Sequence, residues 1–179
     1  ESEGKEEKFF ELLGHRMDAA SQSLEVKRQM VEKLLERGFV PYTKSYLGHF
    51  SNHFSTVGLC GMNEACINLF SKDISTSEGK DFTIKTLKFM REKIKEYQTN
   101  TGNLYNLEAT PAESTSYRFA RKDKEFYPNI HVAGDKEPYL TNSTQLPVNL
   151  EMDLYSALKH QESIQTLYKV TVTDIRSVS

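Results

Sequence analysis

The chain has 179 residues, which suits one domain or a large part of one. Hydrophobic residues make up 37% and charged residues 27%, with a formal net charge of −2, which is the composition of an ordinary globular protein. The basic residues are not clustered, which argues against direct binding of nucleic acid. The chain has no run of 18 apolar residues, so no membrane span is predicted, and its acidic start lacks the features of a signal peptide.

The first half of the chain alternates helical and extended patterns. Apolar spacing predicts a long helix over residues 5–37, where Lys27 and Arg28 interrupt the stripe and suggest that the middle lies near an edge. A surface loop is predicted over residues 39–53, a short buried strand over residues 54–59 and a helix over residues 63–70.

The second half repeats this order. A long amphipathic helix is predicted over residues 78–99, a short strand over residues 104–107 and a new helix from about Ala112. Residues 124–148 have the composition of a loop, with an extended part over residues 139–146.

Near the end of the chain, Asp153 is suited to cap a last helix, and residues 170–178 alternate weakly. The alternation of strands and helices predicts an α/β fold. Because the strands are short and few, we expect that this chain does not close a sheet by itself.

The segment NLYNLEATPAESTSYR, residues 103–118, predicts a strand, a turn and a helix start. The first N–H groups of a helix have no internal partner and bind anions well, and small residues let an anion approach them. A second interpretation is an ordinary capping box, with Thr110 as the cap and Glu113 three residues later. The two interpretations are compatible, and neither common nucleotide-binding fingerprint is present to separate them.

Three sequence blocks resemble one family, the anaerobic ribonucleoside-triphosphate reductases, which are glycyl-radical enzymes. The blocks are FSTVGLCGMNEAC at residues 54–66, the segment at residues 101–130, and EPYLTNSTQLPV at residues 137–148. The resemblance covers roughly residues 5–168. It implies that the chain is a partial segment of a ten-stranded α/β barrel, with long helices and few strands. Residues 1–168 would then be a partial catalytic barrel domain, and residues 169–179 a divergent tail.

The resemblance also implies where the substrate phosphates bind, on backbone amides at the helix start, with Pro111 shaping the turn. Relatives often carry glycine where this chain has Ser114, whose Cβ would crowd a close phosphate. The implied phosphate-binding residues are Thr110, Ala112, Glu113, Ser114, Thr115 and Ser116.

Other polar residues are candidates for lining the pocket. Glu108 is either a base beside the sugar or, as we favour, a partner of Arg118 or a cap of the turn. Asn63 and Glu64 either serve a turn and helix start, which we favour, or contact substrate. Three residues of the third block are expected to line the pocket from a strand end: Asn142, Ser143 and Thr144.

The two cysteines and five histidines predict no catalytic or metal site. The resemblance places the thiyl cysteine of the radical chemistry upstream of this chain, so Cys60 and Cys66 are interpreted as core side chains. Two cysteines six apart make neither a disulfide framework nor a zinc site, which favours a reducing, cytoplasmic setting. His49 and His53 are four apart, but in a predicted loop.

The resemblance implies a function in reducing ribonucleotides to deoxyribonucleotides for DNA synthesis. The expected partners are a ribonucleoside triphosphate, the remainder of the reductase subunit and a radical-SAM activating enzyme. The glycyl radical and a structural zinc belong to the full-length family member, so we expect no turnover by this chain alone. The sequence departs from the family after Tyr168, which suggests a truncated product. The alternatives are another glycyl-radical enzyme, which the LEATPAE block disfavours, and a non-catalytic remnant that binds nucleotide or a partner.

Overall fold

The structure is a computed structural model that describes residues 2–168 and is mostly helical, with two strands among those residues. The elements in chain order are α1 (Ser2–Glu36), α2 (Pro41–Leu47), β1 (Ser55–Gly58), α3 (Met62–Phe70), α4 (Ser77–Thr101), β2 (Tyr105–Glu108), α5 (Glu113–Phe126) and α6 (Leu154–Gln165), followed by a 3₁₀ turn, Thr166–Tyr168. The weak alternation predicted for residues 170–178 lies outside the described residues.

The two strands pair in parallel, with Ser55 opposite Tyr105 and Gly58 opposite Glu108. Parallel strands need a crossover connection, and here α3 and α4 supply it. Side chains alternate between the two faces of a strand, so Val57 and Leu107 are buried on one face while Gly58 and Glu108 are exposed on the other. The parallel pairing also brings the carboxyl ends of both strands to the same edge.

Helices α1 and α4 cover the buried face of the strands. One hydrophobic cluster contains Met17, Leu87, Met90, Ile94, Tyr97, Tyr105, Leu107 and Ile164. A second cluster packs α3 against α4 around Met62, Cys66, Ile74 and Phe82. Cys66 is fully buried there, which confirms its interpretation as a core side chain.

Arg28 on α1 is buried, so the prediction that this part of the helix lies near an edge is wrong. The side chain is only 4% exposed. Its guanidinium donates to the carbonyls of Phe50 at 2.9 Å and His53 at 2.6 Å, and to Ser55 Oγ at 3.1 Å. Two carbonyls and a hydroxyl thus accept from the terminal nitrogens of a cation that the apolar pattern treats as an interruption, while its buried Nε has no partner among the described residues.

Two stretches predicted as irregular or extended differ in the structure. The predicted loop over residues 39–53 contains α2, which begins at Pro41, a residue favoured in the first turn of a helix. None of the residues of α2 is buried, so it has no apolar face that would reveal it. The predicted extended part over residues 139–146 has one bridge, between Ala133 and Tyr139, and then turns at residues 142–144.

The predicted cap of the last helix is confirmed. Asp153 Oδ1 accepts a hydrogen bond from the N–H of Ser156 at 3.0 Å. This hydrogen bond and neighbouring backbone N–H groups lower the pKa of the Asp153 carboxyl. Within residues 2–168, no helix is both long and apolar enough to cross a membrane.

Candidate functional site

Three segments converge at the carboxyl ends of β1 and β2. Residues 59–64 follow β1 and lead into α3, residues 109–116 follow β2 and lead into α5, and residues 140–144 lie against both. In parallel α/β folds this edge is where ligands bind, because loops and helix N-termini gather there.

The N-terminus of α5 is open. The N–H of Ser116 closes the first helical turn on Ala112 O at 2.8 Å. The N–H groups of Glu113, Ser114 and Thr115 have no acceptor within the described part of the chain. In α4 and α6, by contrast, Thr76 and Asp153 cap the first turn with side-chain oxygens. Three free donors and the positive end of the helix dipole make this terminus suited to bind an anion.

The predicted capping box is wrong. The N-cap of α5 is Ala112, whose backbone is left-handed (φ 47°, ψ 35°) and whose side chain makes no cap bond. The Thr110 side chain instead lies over Gly58, where an added Cβ would be 2.6 Å from Thr110 Oγ1. The turn at Ala112 therefore directs the Thr110 side chain away from the helix end, so that no side chain caps the first N–H groups of α5.

Ser116 lies in the predicted phosphate loop but has no donor left for an anion. Its side chain is 4% exposed. Its Oγ accepts from the N–H of Leu140 at 2.9 Å and donates to the carbonyl of Leu140 at 2.6 Å, while its own N–H is used within the helix. The structure thus corrects its predicted role, since Ser116 ties α5 to residues 140–144. No local sequence signal indicates this contact.

Glu64 is buried at the start of α3 and anchors the same segment. The side chain is 2% exposed. Its carboxylate accepts from the N–H of Thr141 at 2.9 Å, from Thr141 Oγ1 at 2.6 Å and from Asn63 Nδ2 at 3.2 Å. Asn63 Oδ1 accepts from the N–H of Ile74 at 3.2 Å. Both side chains are therefore hydrogen-bonded within the protein, although neither caps the start of α3.

The N-terminus of α3 is partly covered by residues 141–143. Gly61 N–H donates to the carbonyl of Thr141 at 2.9 Å, and Met62 N–H donates to the carbonyl of Ser143 at 3.1 Å. Ser143 is buried with a positive φ of 45°, and its hydroxyl donates to the carbonyl of Leu59 at 3.1 Å. Thr144 is also buried, with its hydroxyl 3.1 Å from the hydroxyl of Tyr168. Of the two helix N-termini at this edge, that of α3 has its first N–H, on Met62, bonded within the chain, whereas all three leading N–H groups of α5 have no acceptor in the described residues.

A cavity of about 390 Å³ opens beside the first turn of α5. Its lining includes Pro111, Glu113, Tyr139, Leu140, Asn142 and Gln145. Asn142 lines this cavity, whereas Ser143 is buried and is not among the lining residues. Asn63 borders a different cavity, of about 590 Å³, which Tyr139 and Thr141 also line.

Glu108 and Cys60 also lie at this edge. The side chain of Glu108 is exposed, and its carboxylate has no ion-pair or hydrogen-bond partner among residues 2–168. The predicted pairing with Arg118 is therefore not found. Arg118 instead lies over the ring of Phe119, 5.3 Å from its centroid. Cys60 is half-buried near Ser116 and Thr141, not in a core cluster, which corrects its predicted place. Burial raises the pKa of the Cys60 thiol.

The described residues contain no cluster of three or more His, Cys, Asp or Glu side chains placed to hold a metal ion. The polar groups at this edge are backbone N–H groups, hydroxyls, carboxamides, the Cys60 thiol and two exposed carboxylates, Glu108 and Glu113. Such groups bind and orient a ligand.

Comparison with known proteins identifies relatives of the chain. The sequence profile of the family described as anaerobic ribonucleoside-triphosphate reductase matches residues 1–172. The enzyme of that name from Enterobacteria phage T4 is 31% identical over 157 residues, covering 80% of this chain and 24% of the phage protein. The enzyme from Haemophilus influenzae is 29% identical over 105 residues, covering 58% of this chain and 15% of its own length.

Solved structures show the same fold. The anaerobic ribonucleotide reductase from Thermotoga maritima with glycerol in the active site has a TM-score of 0.78 at 23% identity, covering 93% of this chain and 27% of that chain. The same enzyme in complex with dATP and CTP has a TM-score of 0.76 at 23% identity, covering 93% and 28%. The chain thus spans about a quarter of the length of these solved proteins.

Proposed function

We propose, since this chain belongs to the anaerobic ribonucleoside-triphosphate reductase family, that it is part of the domain that reduces ribonucleoside triphosphates to deoxyribonucleotides. Its contribution is the loop that binds the substrate phosphates. The observation that carries the proposal is the open N-terminus of α5, at the carboxyl ends of two parallel strands.

The free N–H groups of Glu113, Ser114 and Thr115 are the proposed phosphate ligands. The hydroxyls of Ser114 and Thr115 lie on the same turn, and Ser114 is exposed, so its hydroxyl is open to a ligand. Thr110 and Ala112 shape the turn that keeps the helix end clear. The carboxylate of Glu113, in the first turn of α5, opposes an anion, as does that of Glu108 at the end of β2.

The rest of the enzyme is part of the same proposal. A parallel pair with one exposed face is consistent with a segment of the ten-stranded α/β barrel, in which residues 1–168 form part of the catalytic domain. The glycyl radical and zinc site would belong to the remainder of the subunit, which a radical-SAM enzyme would activate in the cytoplasm. Glu108, exposed at the end of β2, and Asn142, which lines the cavity beside α5, are the proposed contacts to the substrate beyond its phosphates.

A charge placed in the first turn of α5 tests the phosphate loop. Ser114→Asp favours the helix, because an acidic side chain interacts well with the positive end of the dipole, but it repels a bound triphosphate. We expect the affinity for a nucleoside triphosphate to fall about tenfold or more at low salt, with unchanged or slightly higher stability. Titration calorimetry measures the affinity and urea denaturation the stability.

The matched control is Ser156→Asp, which adds the same charge to the first turn of α6, away from the site. It should leave nucleotide affinity unchanged. Equal affinities for the unaltered chain and Ser114→Asp would remove α5 as the phosphate site.

A further inference from the structure

Residues 140–144 join the start of α3 to the start of α5. On the α3 side, the carbonyl of Thr141 accepts a hydrogen bond from the N–H of Gly61 at 2.9 Å. On the α5 side, the N–H and the carbonyl of Leu140 are both bonded to the hydroxyl of Ser116. Leu140 and Thr141 are consecutive, with Cα atoms about 3.8 Å apart, so fixing one restricts the other. Two adjacent residues therefore connect the two helix starts.

The carboxylate of Glu64 fixes the position of Thr141. Glu64 lies in the first turn of α3, and its side chain is 2% exposed. One carboxylate oxygen accepts from the N–H of Thr141 at 2.9 Å, and the other accepts from its hydroxyl at 2.6 Å. Within residues 2–168 no Lys, Arg or His forms an ion pair with this carboxylate. Because a buried carboxylate needs hydrogen-bond donors, its burial depends on Thr141 staying in place.

Ser143 connects the same segment to the turns that follow both strands. Its side chain is fully buried, and its hydroxyl lies 3.1 Å from the carbonyl of Leu59 and 3.5 Å from the carbonyl of Thr110. Its backbone has a positive φ of 45°, a conformation that a serine adopts only where its surroundings hold it. The segment is therefore held against the turn that leads into α5 as well as against α5 itself.

We propose that Glu64 is a positioning residue for the phosphate loop, and that it acts on the first turn of α5 through Thr141 and Leu140. Ser116 is the last link of this series of hydrogen bonds. The inference rests on the proposed phosphate loop. None of the hydrogen bonds of Glu64 goes to that loop, so its effect on a ligand passes through residues 140–144.

Glu64→Gln separates positioning from a simple effect of charge. In either orientation of the amide, its nitrogen faces the N–H of Thr141 or the Nδ2 group of Asn63, so at least one hydrogen bond is lost. Loss of a negative charge near an anion site would by itself strengthen binding. We expect the affinity for inorganic tripolyphosphate to fall roughly tenfold in calorimetry, because displaced N–H groups lose part of their bonds to a charged ligand.

The matched control is Glu162→Gln on α6, which removes the same charge from an exposed side chain that makes no hydrogen bond within the described residues. It should leave the affinity for tripolyphosphate unchanged. Urea denaturation establishes that each variant is folded under the conditions of the titration. Unchanged or tighter binding by folded Glu64→Gln would overturn the positioning role and leave the phosphate loop standing.

A double-mutant cycle tests the route through Ser116. Ser116→Ala already cuts the link to Leu140, so adding Glu64→Gln to it should lower the affinity much less than Glu64→Gln does alone. An equal fall in both backgrounds would overturn the proposed route.

Thr141 supplies a milder pair of variants, which decides the matter if Glu64→Gln does not fold. Thr141→Val removes the hydroxyl that donates to Glu64 and should weaken tripolyphosphate binding several-fold, whereas Thr141→Ser keeps the hydroxyl and should retain the affinity. Equal affinities of these two variants would overturn the inference. An unaltered chain that binds no tripolyphosphate would overturn the phosphate loop and the role of Glu64 together.

The coupling is reciprocal, which provides a readout that a purely structural role of Glu64 would not change. Tripolyphosphate should slow hydrogen exchange at the N–H of Thr141 more than at that of Ala157 in α6, although neither belongs to the phosphate loop. Equal slowing at the two sites would count as general stabilisation and against the proposed link.

Discussion

Replacing Ser116 by alanine removes the hydroxyl that joins α5 to residues 140–144. The variant loses one bond from the N–H of Leu140 and one to its carbonyl, at 2.9 and 2.6 Å. Each such bond contributes about 1 kcal/mol, and leaving buried backbone groups without partners costs about 1–3 kcal/mol more. Some of that cost is relieved if water reaches Leu140. We therefore expect the free energy of unfolding to fall by about 2–3 kcal/mol.

Urea denaturation of the full chain measures this loss. With a slope of about 2 kcal/mol per molar urea, the midpoint should fall by roughly 1–1.5 M. The matched control is Ser114→Ala, because Ser114 lies on the same turn but is exposed, and its stability should change by less than about 0.5 kcal/mol. If Ser116→Ala were as stable as the control but bound triphosphate more weakly, Ser116 would be a direct ligand and our assignment would be refuted.

Three further variants test other features of the site and fold. Ala112→Gly should raise the free energy of unfolding by about 0.5–1 kcal/mol, because glycine relieves the positive φ. The control Ala157→Gly, inside α6, should lower the free energy of unfolding by about 1 kcal/mol. A similar loss of stability in both variants would show that Ala112 is unstrained. Glu113→Gln should tighten triphosphate binding several-fold in calorimetry, because it removes a carboxylate from the phosphate loop; weaker binding would instead indicate that the carboxylate contacts substrate. His160 is partly buried, with its Nε2 3.0 Å from the carbonyl of Ile74, and burial lowers the pKa of its imidazole. Because the unfolded state then binds more protons than the folded state, the free energy of unfolding should fall as the pH drops below about 6.5. Urea midpoints at pH 5 and 7.5 should differ less in His160→Gln, and an equal difference would exclude His160 as the cause.

Local patterns in the sequence predict most of the elements. The helix predicted over residues 78–99 is observed as Ser77–Thr101, and the strand predicted over residues 104–107 as Tyr105–Glu108. These elements have strong apolar periodicity, and their ends are marked by capping or turn residues. Helix α2 was missed because none of its side chains is buried, so its amphipathic pattern is absent.

The geometry of the site depends on contacts that local sequence does not encode. Ser116 bonds Leu140, 24 residues away, and Glu64 bonds Thr141, 77 residues away. The positive φ at Ala112 is equally hidden, since alanine does not favour that conformation and the surrounding turn imposes it. The sequence therefore indicates the turn that we propose as the anion site, whereas its open donors and the contact of Ser116 with Leu140 required the structure.

The two strands also leave their outer edges unpaired within residues 2–168, since β1 and β2 bond only to each other. Parallel sheets are normally covered on both faces and extended on both sides, so these edges present rows of N–H and C=O groups that suit further strands. For the isolated chain this is a hazard during expression, because copies can pair edge to edge and aggregate. Lowering the protein concentration during refolding should therefore improve its recovery as a monomer more than raising the salt.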